Sequence, residues 1–447
     1  ENKTLGYSGA AVNLGAKTLT MSGKGTFNNT NALRLNNASS KLLLSNTTTV
    51  GSVSTSANIS GLGIDVDESS TITSLAVGHT TPVSIAAGKT LSGGITVTAG
   101  SIKLGETGTL ASAVSMSGGK LDADNNLTLS GALTQSGNIE IHVAEDKTLS
   151  YSGAAVNLGA NTLTLSGGGT FSNTNALDLN NASSKLLLNS ITVGSASTSA
   201  ISLGLDVNED STVTSLSLDH KTPVAIANTK TLSGAITVTG NSGQLKLTGT
   251  GTLASSIAMS GGKLEADETL TLSGALSHTA DITIDVAGDK IFTYSGTAIN
   301  VGANTITLSG GGSLVSGGMT LNDEDSKLLL NSITLDNAST SANNSGIDVD
   351  ANSTVTSFSV GHTTPVSIKA NRTLSGSITV TAGSIKLGET GTLGSTVTMS
   401  GGTLEADNNL TLSGPLTQSG NITIAVAENK TLGYSGAAVS LGANTLT

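Results

Sequence analysis

The stretch Asn161-Thr162-Leu163-Thr164-Leu165-Ser166-Gly167 alternates hydroxylated with apolar residues and closes on a Ser-Gly turn. Neighbouring residues of a β-strand point to opposite faces, so this pattern predicts a strand with a buried Leu between exposed Thr side chains. The pattern recurs along the whole chain. Its central residues are Leu163, Leu187, Val213, Leu232, Leu253, Leu270 and Phe292, flanked by pairs such as Thr162/Thr164, Leu186/Leu188, Thr212/Thr214, Thr252/Ala254 and Ile291/Thr293.

The spacing between these centres defines the architecture. From Leu163 the steps are 24, 26, 19, 21, 17, 22 and 14 residues, ending on Ile306. Before it, Leu19, Leu43, Ile72, Leu91, Leu110, Leu127 and Leu149 follow steps of 24, 29, 19, 19, 17, 22 and 14 to Leu163. After it, Ile306, Leu329, Val355, Leu374, Leu393, Leu410 and Leu432 follow 23, 26, 19, 19, 17, 22 and 14 to Leu446. A short step of about 20 residues inside a long unit of 140 to 144 is the periodicity of a solenoid. The expected fold is therefore all-β, a parallel β-helix of about 21 coils. It divides as the end of a preceding repeat (1–16), repeat 1 (17–160), repeat 2 (161–303), repeat 3 (304–443) and the start of another (444–447), one continuous solenoid. The 14-residue step is short for a three-sided coil, which leaves the coil boundary there open.

Composition agrees. The 447 residues include 56 Gly, four Tyr and four Phe, no Trp and no Cys, with only 11% charged. A stack of thin coils needs modest side chains repeated regularly, whereas disorder would require fewer apolar residues and more charge. No apolar run reaches the roughly 20 residues of a membrane span. With 20 basic against 31 acidic residues, the net charge of −11 and the lack of aromatics speak against nucleic-acid binding. The absence of Cys fits an exported protein. Residues 1–20 match 428–447 except at Asn13/Ser440 and Lys17/Asn444. From this we expect a window of a longer array, or a subunit that stacks end to end into a filament.

Substitutions between repeats separate inside from outside. Phe292 replaces Leu149 and Leu432, Phe358 replaces Leu75 and Leu216, and Met21 replaces Leu165 and Leu308, so these positions are expected to face inward. Arg34 aligns with Asp178 and Thr320, which marks a water-facing site.

Candidates for chemistry are few. Tyr7, Tyr151, Tyr294 and Tyr434 share one phase in Tyr-Ser-Gly; they read either as stations for stacking sugars or as half-buried corner rings with wet hydroxyls. His79, His220 and His362 each precede Thr-Thr-Pro or Lys-Thr-Pro and lack a second metal ligand nearby, so they read as turn residues. The weak calcium candidates are acidic: Asp65 and Asp67, Asp206 and Asp210, Asp348 and Asp350, in D-x-[DN]-x-[DNS] triplets without the Gly and Glu of an EF-hand. Otherwise no cofactor is expected. Nor is catalysis: carboxylates are scattered over turns, only two Arg occur, and no Ser has an evident His/Asp partner. Thr-x-Thr at Thr18/Thr20, Thr96/Thr98, Thr162/Thr164, Thr212/Thr214 and Thr305/Thr307 would suit an ice-binding face, in a rank interrupted by Leu186/Leu188, Ala254 and Ile291. Triplets such as Asn37-Ala-Ser39 and Asn421-Ile-Thr423 could carry glycans in a host able to add them.

The phrases KTLTMSGKGTF, NTLTLSGGGTF and NNLTLSGAL resemble the strand repeats of secreted bacterial β-solenoids, the autotransporter passengers and filamentous-haemagglutinin-like exoproteins. The likeness covers the whole chain through a motif of low complexity. It implies export to the cell surface and a role as adhesin, stalk or biofilm-matrix fibre, with the chain itself, and cell-surface or matrix glycans, as partners. The amino-terminal secretion cap and carboxy-terminal membrane barrel of such proteins have no counterpart here. The expected function is thus a non-enzymatic extracellular filament or adhesin stalk. The alternatives are an ice-binding or carbohydrate-binding face and, after these, a polysaccharide-active enzyme.

Overall fold

A computed structural model describes residues 3–61, 63–441 and 443–447. Among them there is no helix; the strands form a parallel β-solenoid of about 22 turns, the expected class. The chain divides into two compact units, Glu1–Pro223 with Lys230–Gly234, and Val224–Thr229 with Ala235–Thr447. This division falls within the second sequence repeat.

Each turn in either unit has three sides. In the first unit one turn runs through Thr162–Ser166, Thr170–Asn173 and Leu177–Leu179, with Leu163, Leu165, Phe171, Leu177 and Leu179 all fully buried. The first side pairs with Lys185–Asn189 of the next turn, and the second and third with the single strand Thr192–Thr198. In the second unit Thr305–Ser309, Ser313–Ser316 and Met319–Leu321 repeat the arrangement and pair with Lys327–Asn331 and Thr334–Thr340. All of these pairings are parallel, so each inward residue stacks on an inward residue one turn away, about 4.8 Å along the sheet.

The apolar ladder needs correction at several points. Leu43, Leu187 and Leu329 face outward and are only half-buried; Leu42, Leu44, Leu186, Leu188, Leu328 and Leu330 are fully buried instead. Each strand starts with an outward Lys (Lys41, Lys185, Lys327), so alternation turns its second and fourth residues inward. Three adjacent leucines hide that phase from the sequence. The Leu149-to-Leu163 step of 14 is no coil: the two residues lie on different sides, Leu149 stacking on Phe171 and Leu163 on Ile139 and Leu186. Nor does Leu110 stack on Leu127. It meets Leu129, as Leu253 meets Leu272 and Leu393 meets Leu412, a step of 19 where 17 was read. The expected single wall is therefore two sides: in the second repeat Leu163 and Leu187 belong to the first, and Val213, Leu232, Leu253, Leu270 and Phe292 to the second. Leu19 and Leu432 are half-buried and Leu446 is 36% exposed, and Met21, expected inside, is also half-buried; fewer neighbouring turns cover these positions.

Corners between the second and third sides carry the irregularities. In Ser70–Val77 two consecutive residues, Thr73 and Ser74, point outward, so the strand bends without breaking. The next turn follows with a bulge: Ile72 pairs with Gly93 and Ser74 with Gly94, while Leu91 stacks on the buried Ser70. Gly93 has φ +117°, and a Cβ there would lie 1.8 Å from the Ile72 carbonyl oxygen. Gly234 against Val213 and Gly376 against Val355 repeat the same close approach.

Candidate functional surface

Core side chains first decide what is left outside. Tyr151 is 1% exposed and Tyr294 2%, so for these two neither a surface station nor a half-wet ring holds, whereas Tyr7 is half-buried and Tyr434 40% exposed. The Tyr151 hydroxyl accepts the Leu133 N–H of the preceding turn at 3.1 Å and donates to the Ala154 carbonyl at 2.6 Å. Leu276 N–H donates to Tyr294 in the same way, and Leu416 N–H to Tyr434. Burial pushes the Tyr151 hydroxyl pKa up, against the lowering effect of the Leu133 N–H. The ring stacks on Phe171 at 5.9 Å, and a Cβ on Gly153 would meet its hydroxyl at 2.6 Å, which explains the constant Gly of Tyr-Ser-Gly.

The outer surface of the second side is a ladder of hydroxyls. Thr4, Thr26, Thr49, Thr71 and Ser92 are in register on successive turns, as are Thr90, Thr109, Thr128, Ser150 and Ser172. In the second unit Thr252, Thr271 and Thr293 continue into Val315, and Ser313, Thr334, Thr354 and Ser375 form a parallel row. The Thr-x-Thr pairs picked from the sequence do not form one rank. Thr18/Thr20, Thr162/Thr164 and Thr305/Thr307 belong to the first side, whereas Thr212 belongs to the hydroxyl ladder. Leu186 and Leu188, read as interruptions, are interior. Ile291 remains outward and 44% exposed.

The first side carries charge. In the first unit Lys103 and Lys120 both approach Asp122 at 3.8 Å, and Lys120 lies 3.6 Å from Glu140. In the second, Lys246 bridges Glu265 and Asp267 while Lys263 bridges Glu265 at 3.2 Å and Asp285 at 3.0 Å. Burial pushes the Glu265 carboxyl up, but hydrogen bonds and charge from the two lysines outweigh it and hold it at about 2. Hydrogen bonds to Asp267 and Glu265 in turn raise the Lys246 ammonium pKa. Lys120 with Asp122 and Lys263 with Glu265 are two residues apart on one strand, whereas the bridges to Lys103, Glu140, Lys246 and Asp285 join residues some 20 apart that nothing local in the sequence marks.

That side also brings together a serine, a histidine and an aspartate that sequence reading missed. His142 Nδ1 lies 3.1 Å from Ser166 Oγ, and His142 Nε2 3.9 Å from Asp122 Oδ1. Ser166, however, donates its proton to Glu140 Oε1 at 2.7 Å, so toward His142 it accepts and the ring donates. This is the reverse of a serine activated by a base. The neighbouring amides are engaged too, Gly168 N–H by Ser190 and Gly169 N–H by Val143, so they offer no pair of donors to an oxyanion.

The acidic triplets make ion pairs. Asp65 meets Lys41 at 2.8 Å, Asp206 meets Lys185 and Asp348 meets Lys327, each lysine on the preceding turn. Asp210 accepts the Thr231 N–H at 2.7 Å, Asp350 pairs with Lys369 at 2.8 Å, and Asp67 is exposed. Among the described residues no group of three or more His, Cys, Asp or Glu is placed to hold a metal ion. The carbonyls of His79, His220 and His362 accept bonds from the hydroxyls of Thr81, Thr222 and Thr364, fully buried residues that each directly precede a Pro. Arg34 is exposed; Asp178 accepts hydrogen bonds from Ser197 and Ser199 of the next turn. The glycosylation candidates also accept bonds, Asn37 from Ser39 N–H and Asn421 from Thr445 N–H. Among the described residues no helix is long and apolar enough to cross a membrane.

No family model, curated protein or solved structure matches the chain.

Proposed function

We propose that this protein is a non-enzymatic structural element, an extracellular β-solenoid filament or adhesin stalk at the cell surface, whose partner is a further turn of its own kind. One observation carries the reading. The groups that join one turn to the next recur at the same place in each long repeat: Ser40 to Gly15, Ser184 to Gly159 and Ser326 to Gly302, each buried serine hydroxyl donating to a carbonyl of the preceding turn. Such a molecule gains stability turn by turn, and its stiffness follows from its bonding along the axis. The likeness to exported bacterial β-solenoids supports the surface location, and matrix glycans are candidate contacts. Electron microscopy with fibre diffraction of native material tests this: fibres or stalks with a reflection near 4.8 Å support it, and compact particles lacking that reflection reject it.

The hydroxyl ladder favours a second reading, an ice-binding or carbohydrate-binding face. Its rows run over five turns from Thr4 to Ser92 and from Thr90 to Ser172, and are broken by the exposed Ile291 and Val315. Thermal hysteresis above that of an inert protein at equal concentration would support an ice-binding face; freezing without hysteresis would dismiss it.

A further inference from the structure

His278 ends the strand Leu276–His278 in the second unit. Its Nδ1 lies 3.2 Å from the Ala280 carbonyl oxygen and its Nε2 3.0 Å from the Asn300 carbonyl oxygen of the next turn. Carbonyl oxygens only accept, and a neutral imidazole has a single N–H, so it serves one of them and turns a lone pair toward the other. Only the doubly protonated ring donates to both. The corresponding residues of the other repeats are Gln135 and Gln418, which donate Nε2 across to Leu158 at 2.9 Å and Leu441 at 3.3 Å. Each leaves its Oε1 buried without a hydrogen-bond partner. The position therefore offers acceptors on two sides, and an amide can answer only one of them.

The charged surroundings are sparse. Neither the strand before it, Ser256–Met259, nor the strand after it, Ile299–Asn300, contains a titratable residue. On its own turn Asp281 places a carboxylate whose Oδ1 accepts the Thr305 N–H at 2.7 Å.

We propose that His278 is a proton-operated clasp between successive turns: the imidazolium ties the turn of Leu276–His278 to that of Ile299–Asn300, and loss of one proton releases one of the two carbonyls. The joint is complete while both ring nitrogens carry a proton and loses one of its two bonds when one leaves. Hydrogen exchange over 276–302, corrected for intrinsic rates, tests this between about pH 5.5 and 8. The native protein should lose protection several-fold on the alkaline side, and H278Q should not. Imidazole nitrogen NMR of the native protein should show two protonated nitrogens at the acid end. His142, near Asp122, lies in the first unit and reports on a separate segment. Equal pH profiles for native protein and H278Q overturn the proposal. So does a neutral His278 ring at pH about 5.5, a measurement that holds even if H278Q fails to fold.

Discussion

Asn173 grips Ser195 of the following turn with both ends of its carboxamide: Nδ2 donates to the Ser195 carbonyl at 2.6 Å, and Oδ1 accepts the Ser195 N–H at 3.1 Å. The same side chain donates to Asn175 and accepts from Gly194, so this nearly buried amide is fully satisfied. Asn29 does likewise with Ser52. In the third repeat the device is rebuilt from the opposite side, where the Asp336 carboxylate accepts from both the N–H and the hydroxyl of Ser316.

Exchanging one device for the other makes a double-mutant test. Asn173→Ser alone strands the bonds of Gly194 and Ser195 and should cost about 1–3 kcal/mol. Gly194→Asp alone should also destabilise, since a Cβ there lies 2.8 Å from the Asn173 carbonyl oxygen. The pair together, copying Ser316 and Asp336, should recover part of the loss, read as a coupling energy in denaturant unfolding. Strict additivity would refute the equivalence.

Tyr151→Phe keeps the ring and its stack on Phe171 but leaves the buried Leu133 N–H without its acceptor. The expected loss is about 1–3 kcal/mol, visible as faster amide exchange at Leu133 and its neighbours. An unchanged exchange rate would mean that the hydroxyl does not join the turns.

Leu187→Thr and Leu188→Thr are adjacent and chemically identical, yet they should diverge. Leu187 faces outward between Thr164 and Asp206, so its loss should stay within about 0.5 kcal/mol. Leu188 is fully buried, and removing its apolar bulk should cost about 2–5 kcal/mol. The midpoint of urea unfolding separates the two variants, and reversed costs would return the strand to the other register.

Acid should loosen the charged side of the second unit. The Glu265 carboxyl, at about 2 in the fold against an ordinary 4.5, contributes stability that is fully present above pH 4.5 and is lost as pH falls toward 2. Melting temperatures of the native protein and Glu265→Gln should therefore converge across that window, while at neutral pH the native protein melts higher. A constant gap from pH 7 to pH 2 would show that the lysine bridges add nothing. The sign is opposite to that of the His278 clasp, which weakens in base.

Alternation within strands such as Thr162–Ser166 depends on neighbours in the chain, so it was legible, and with it the class of fold. The charged side was not: Lys246 and Glu265, or Lys263 and Asp285, become partners only once turns are stacked. The Ser166, His142 and Asp122 grouping was hidden for the same reason, its members being spread over three turns. Tyr-Ser-Gly was visible as a recurring motif, but its purpose depended on a Leu N–H 18 residues earlier.

By itself, then, the sequence determined that this protein is a parallel solenoid of short turns, because inward and outward residues alternate along strands such as Thr162–Ser166 whatever lies beside them, and that pattern returns about every 20 residues. Only the tertiary structure decided which side chains meet. Corner bulges at Gly93 and Gly376 shift the register between turns by one residue. Among three adjacent leucines either phase is apolar, and only the in-register pairing of the outward Lys185 with Thr162 decides that Leu186 and Leu188 are inside and Leu187 is not.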